Sequence, residues 1–249
     1  MLFWTVLATS ALADTKSSER KTAQQLYDEG IHALEKNRHT KALESFSTLR
    51  NHFRDDQLSI DAELGIADVY FDRGDWDLAR VAYDDFRRLH PRHKKRDYVD
   101  YQIGLMLYKK APRYAGRDQT WTEQALYNWR SFEKNHPQST YTEDLLEKRG
   151  ELEERLALKE LQIAEFYEQR EAWESVYRRS QGLLKQYPTS MYRHSALELY
   201  LLSEALKKAP QSSDLLEELK TNAPQHYKSL ERKKERKLKK QSRKEQRNQ

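Results

Sequence analysis

The sequence predicts an all-α chain built as a solenoid of helix-turn-helix repeats, and three observations predict it. Glycine and proline number only 7 and 6 in 249 residues, too few for a turn-rich β architecture. Charged residues make up 34% of the chain, hydrophobic residues only 37%, and the mean hydropathy is −1.06. That balance suits thin helical layers with wet faces better than one spherical core. A pattern of small and aromatic residues also recurs along the chain at fixed offsets.

The pattern is clearest from Ile60 to Pro91. Ala67 and Tyr70 occupy a first helix, Gly74 and Asp75 break it, and Ala79, Tyr83, Phe86 and Pro91 follow at steps of four, three and five. This is the tetratricopeptide arrangement, in which small residues let two antiparallel helices approach, aromatics fill the gap to the next pair, and proline stops the second helix. One such pair cannot bury its own apolar face, so neighbours are required.

About five such repeats are expected, spanning residues 22–227. The first carries Leu26, Gly30, Ala33, Ala42, Phe46 and Leu49, with Arg54 where the proline would stand. The third carries Gly104, Leu107, Ala125, Trp129, Phe132 and Pro137, with a loop inserted from Lys109 to Gln119. Ala164, Tyr167, Val176, Ser180, Leu183 and Pro188 mark the fourth; Ala196, Leu199, Ser212, Leu216, Leu219 and Pro224 mark the fifth. The first helix of the fourth unit is expected to be long, from about Thr142 to Glu168. Thr120 with Glu123, and Thr140 with Glu143, have the spacing of capping boxes.

The two ends differ from this body. Leu2 to Ala13 is an uncharged apolar run closed by Ala11-Leu12-Ala13, the pattern of a secretory signal peptide, so residues 1–21 are assigned to a signal peptide and a polar, disordered start, the alternative being a buried or frayed N-terminal helix. The run is too short to cross a bilayer, which takes ~20 residues. From Lys228 onward eleven Lys and Arg face three Glu, leaving the preceding residues at −3 of the chain's formal +5. Residues 228–249 are therefore expected as a basic tail, disordered or a frayed helix.

Catalytic chemistry is not offered. With no cysteine, disulfides, thiolate nucleophiles and zinc–thiolate sites are excluded. His90 and His93 have ligand-like spacing, but Arg92, Lys94, Lys95 and Arg96 surround them with charge that opposes a cation. No Walker loop, dinucleotide glycine motif or nucleophile elbow occurs. The expectation is a binding protein without metal or cofactor.

Binding surface is read from a second stripe on the first helix of each repeat. An ordinary surface helix keeps that stripe polar. Here it holds Tyr27, Ile31 and Leu34, then Leu64 and Phe71 with Asp61 and Asp68, then Tyr98, Tyr101, Leu105 and Tyr108. Stacked repeats would line these along one groove suited to an extended or hairpin peptide with aromatic side chains. The alternative is that they pack between adjacent repeats.

Several segments carry a family resemblance. Phe132 to Tyr141 (FEKNHPQSTY), Tyr187 to Tyr192 (YPTSMY), His90 to Leu105, Arg117-Asp118-Gln119-Thr120 and Arg170 to Pro188 resemble the BamD family of outer-membrane assembly lipoproteins, over roughly Ala23 to Pro224. The resemblance implies a scaffold at the periplasmic face of the outer membrane. It implies as partners the barrel-insertion protein BamA, other assembly-complex subunits and unfolded outer-membrane proteins. It also implies that Arg179, beside Arg178, bridges to a BamA carboxylate; on charge alone both would be a solvated helix face. The chain departs from the family in having no cysteine for a lipid tether and in placing Glu171 where a turn glycine is expected. Other readings are a different tetratricopeptide adaptor, or binding through the basic tail. For the tail an anionic membrane surface fits better than nucleic acid, since no aromatic residue follows Tyr227 to stack on bases.

Overall fold

A computed structural model describes residues 21–207 and 209–247. Among these residues there are eleven helices and no strand, grouped into two compact units that meet in sequence at Leu89 and His90. The signal-peptide segment Leu2 to Ala13 lies outside the described residues.

The first unit holds two helical hairpins, α1 (Ala23–Glu35) with α2 (His39–His52) and α3 (Gln57–Arg73) with α4 (Trp76–Leu89). Thr22 opens α1 with a capping box: its hydroxyl accepts from the Gln25 amide at 3.2 Å, and the Gln25 side chain accepts from the Thr22 amide at 2.9 Å. The core joins Leu26, Ala33, Ala42, Phe46 and Leu49 to Ala62 and Val69. Phe46 explains two of the repeat's small residues. Its ring lies so close to Gly30 of α1 and Gly65 of α3 that an added Cβ would stand 2.5 and 2.8 Å from it. Only glycine leaves room for an aromatic ring wedged between two helix backbones.

The second unit holds α5 (Arg96–Lys110), α6 (Thr120–Asn135), α7 (Thr142–Gln169), α8 (Trp173–Gln186), α9 (Arg193–Leu206), α10 (Ser213–Asn222) and α11 (Pro224–Arg247). The long α7 matches expectation to within a residue. In the loop before α6, Gln119 is fully buried. Its amide donates to the carbonyls of Tyr114 and Arg117 at 3.0 and 3.2 Å and accepts from the Thr122 hydroxyl at 2.6 Å. One side chain thus closes the loop by replacing backbone partners that no helix supplies.

The two expected capping boxes do not form. Thr120 is already inside α6, and Asp118 accepts from its amide and hydroxyl at 3.1 and 2.8 Å. Tyr141 precedes α7 without a side-chain cap, and the Thr142 hydroxyl donates to the Ser139 carbonyl. In both places a nearer turn residue takes the backbone bond, Asp118 accepting from the Thr120 amide and the Ser139 hydroxyl from the Tyr141 amide. The fifth repeat also departs from its template. Ser212 is not within a helix but at the N-cap of α10, held by the Glu204 carboxylate at 2.8 Å, and Pro224 starts α11, where a missing N–H costs nothing.

Residues 228–247 lie in α11, whose inner stripe docks on the unit. Leu230 is fully buried in a cluster with Leu197, Leu201, Leu219 and Ala223. α9 is consequently covered on nearly every side, with Ala196 to Glu204 all buried. Its partners on α7, α9 and the turn after α7 lie roughly 30 to 70 residues upstream, so local sequence showed only a run of charge.

Candidate protein-interaction surfaces

The groove residues do not share one environment. Leu64 is only 2% exposed and is a core side chain, which corrects its assignment to an open groove: it sits on the buried arc of α3 with Gly65 and Ala67. Tyr27, Ile31 and Leu34 are half-buried and pack on the first unit's core, Tyr27 tilting against Phe46 with ring centroids 6.0 Å apart. Phe71 meets Trp76 and Tyr83 edge-on, at 5.5 and 6.4 Å. In this unit the stripe flanks the core.

In the second unit, the α5 stripe faces α7 and the junction before it. Tyr101 stacks on Tyr141 at 4.6 Å, and Tyr98 tilts onto the same ring at 5.9 Å. Tyr108 packs on Trp129 at 5.9 Å. The Tyr101 hydroxyl donates to Asp144 at 2.6 Å and that of Tyr108 donates to Glu151. Burial and the Asp144 carboxylate push the Tyr101 phenol well up, so it stays a donor. What remains accessible is half-buried ring surface bordered by carboxylates, a chemistry for aromatic and cationic peptide side chains.

The junction motifs that carry the resemblance have a shared mechanism. Ser139 donates to Asp97 of α5 at 2.8 Å and accepts from the Tyr141 amide; Ser190 donates to Glu154 of α7 at 2.7 Å and accepts from the Tyr192 amide. Each serine ties a turn to an acid on the preceding first helix, which fixes the step from one repeat to the next.

Arg178 and Arg179 lie on α8. Arg178 pairs along the helix with Glu174 at 2.9 Å and is 75% exposed. Arg179 reaches across to Glu160 of α7, with Nη1 donating at 3.1 Å, and is 45% exposed. Among the described residues only that nitrogen of the guanidinium is engaged, which leaves Nε and Nη2 for an acceptor in the planar fork geometry arginine favours. Glu160 also lines a cleft of about 470 Å³ with Glu123, Arg130, Glu153 and Lys159. Sequence reasoning missed this cleft because its charges come from α6 and α7 and look solvated when read one helix at a time.

Glu171, noted only as a departure, is the second missed element. It takes the left-handed conformation (φ +56°), as Gly74 (+81°) and Asn37 (+55°) do in the equivalent turns of earlier repeats. The same bond closes all three turns, from Arg38 to Ala33, Asp75 to Tyr70 and Ala172 to Tyr167. The Glu171 carboxylate then meets α11, with Lys240 at 2.7 Å, Lys244 at 3.2 Å and Lys237 at 3.7 Å. Hydrogen bonds from Lys240 and Lys244 hold its carboxyl at about 2. At the N-terminal half of α11, burial raises the carboxyl of Glu198 on α9, but hydrogen bonds from Ser229, His226 and Lys233 outweigh it and hold it low.

Among the described residues no helix is long and apolar enough to cross a membrane. Comparison with known proteins agrees with the resemblance read from the junctions. Outer membrane protein assembly factor BamD of Pasteurella multocida is 28% identical over 213 residues, covering 82% of this chain and 81% of that protein. The factor of the same name from Vibrio cholerae is 28% identical over 207 residues, covering 77% and 86%, and that of Neisseria meningitidis serogroup B is 25% identical over 221, covering 85% and 83%. Residues 19–214 match the YfiO family, described as outer membrane lipoprotein, and the chain belongs to that family, the family of the BamD assembly factors.

Proposed function

We propose that the chain is a non-enzymatic scaffold of the outer-membrane β-barrel assembly machinery, working at the periplasmic face of the outer membrane. Its family role is outer membrane protein assembly. In this reading α8 binds a BamA-like barrel-insertion protein through Arg179, with Arg178 beside it, while other assembly subunits share the solenoid. Unfolded outer-membrane protein segments meet the half-buried tyrosines Tyr98, Tyr101 and Tyr108. The observation that supports the reading is the contact of half-exposed Arg179 with Glu160 through Nη1, with Nε and Nη2 making no hydrogen bond among the described residues.

The test is capture of the partner's periplasmic domains by wild type and Arg179→Glu. Charge reversal puts a carboxylate against Glu160 and against the partner's acid, and truncating a desolvated interfacial pair typically costs ~2–5 kcal/mol. Capture should fall at least tenfold with helicity unchanged. Equal capture by both proteins would remove Arg179 from the interface.

A further inference from the structure

We propose that the solvent face of α11 is a docking surface for the headgroups of anionic phospholipids. This goes beyond the scaffold reading and does not depend on it.

The helix has two electrostatically different sides. At ~100° per residue, Leu230, Lys233, Lys237, Lys240 and Lys244 fall within an arc of about 80°. The cations of that arc are matched by Glu168, Glu171 and Glu198 of the same unit. A second arc of about 80°, centred roughly 120° away, holds Lys228, Arg232, Arg236, Lys239 and Arg243. All five are exposed, and no carboxylate among the described residues lies within 4.0 Å of any of them. Glu235 is the one acid whose position falls at the edge of this row.

The row runs for roughly 22 Å along the helix, at 1.5 Å per residue. At its C-terminal half, Arg236, Lys239 and Arg243 join Lys237 and Lys240 around a recess of about 340 Å³ with no acid in its lining. Cations clustered without counter-charges repel one another and are relieved by anions. A straight row on a helix whose opposite side is already docked meets a plane of phosphates along its whole length. The docked side also bars the helix from sinking into a nucleic-acid groove, and residues 228–247 contain no aromatic side chain to stack on bases.

Of the two leucines of α11 in this stretch, Leu230 faces the protein core and Leu238, 37% exposed, falls about 120° round the helix from the centre of the row, so the contact is electrostatic and peripheral rather than insertive. Binding should therefore need anionic lipid and fade with salt. Each surface cation near such a membrane contributes about 1 kcal/mol, roughly fivefold in affinity.

The experiment is flotation of the full chain with phosphatidylcholine vesicles, with and without phosphatidylglycerol. Wild type should float only with the anionic vesicles and be released by salt. The variant Arg236→Gln/Lys239→Gln/Arg243→Gln should bind roughly a hundredfold more weakly. Lys36→Gln/Arg54→Gln/Lys134→Gln, with the same loss of charge on scattered exposed positions, should bind within a fewfold of wild type; circular dichroism checks that both variants fold. Equal loss in the two variants would reduce the effect to net charge and overturn the proposal. Release by millimolar inorganic phosphate at constant ionic strength would assign the recess to free phosphate, and tighter binding of a single-stranded oligonucleotide than of vesicles would assign the row to nucleic acid. Each outcome overturns it.

Discussion

Replacing Glu171 by glycine separates two effects that oppose each other at one residue. The left-handed conformation at φ +56° costs a residue with a Cβ about 1–2 kcal/mol, and glycine removes that cost, less the ~0.5–1 kcal/mol of extra unfolded-chain entropy it brings. Against this, the substitution deletes the carboxylate that holds Lys240, Lys244 and Lys237. Lys240 and Lys244 are 57% and 60% exposed, so solvent screens them and each pair contributes about 0–1 kcal/mol, while Lys237 is more enclosed. The two sums cancel to within about 1 kcal/mol, so global stability of Glu171→Gly should stay near wild type in urea melts. The local effect does not cancel. Amide exchange in the C-terminal half of α11 should quicken about tenfold, because the helix loses its distal anchor while Leu230 keeps the proximal one. Glu171→Ala keeps the strain and loses the anchor, so it should be less stable than wild type by the lost pairs alone, about 1–2 kcal/mol. The pH dependence carries the same sign. A carboxyl held at about 2 stabilises fully above its unfolded value of 4.5, and that contribution fades as pH falls through about 2. A Glu171→Gly protein with unchanged exchange along α11 would refute the clasp and leave Glu171 as a merely strained turn.

Other positions give sharper stability tests. Gly104→Ala would place a methyl 2.6 Å from Cδ1 of the buried Trp129 and 2.7 Å from Asn128 Oδ1, and should lose about 1–3 kcal/mol in denaturant melts; a loss below ~0.5 kcal/mol would mean the indole moves freely. Leu64→Ala should lose about 2–5 kcal/mol as a core truncation, whereas Tyr101→Phe removes only the bond to Asp144 and should lose about 0.5–1.5 kcal/mol. A Leu64 variant as stable as wild type would return that residue to the open stripe.

The repeat rhythm was legible in the sequence because it is a packing rule. Ala42, Ala79 and Ala125 are fully buried, as are Phe46 and Tyr83, and Trp129 and Phe132 nearly so. The stripe of tyrosines was legible as amphipathic but not as bonded, since Asp144 and Glu151 stand 43 residues from the hydroxyls they accept. Leu64 was misread because helical phase alone does not tell which of two stripes a neighbouring helix covers. The tail was read from its composition, which gives the number of cations but not that Lys233 finds acids on α7 and α9, or that Lys237 and Lys240 find Glu171 in the turn between α7 and α8. Glu171 was visible only as an exception. A charged residue at a turn that wants glycine is a signal of a distant partner, and the basic run after Lys228 was the complementary half of that signal.

The central claim is that this family member acts in assembling β-barrels at the outer membrane. It is tested most directly by depleting the chain in its own cells and following newly made barrel proteins by heat-modifiable gel mobility. The account predicts that the folded, fast-migrating form falls as the chain is lost, that wild type restores it, and that Arg179→Glu does not. Undiminished folded barrel protein in fully depleted cells would contradict it.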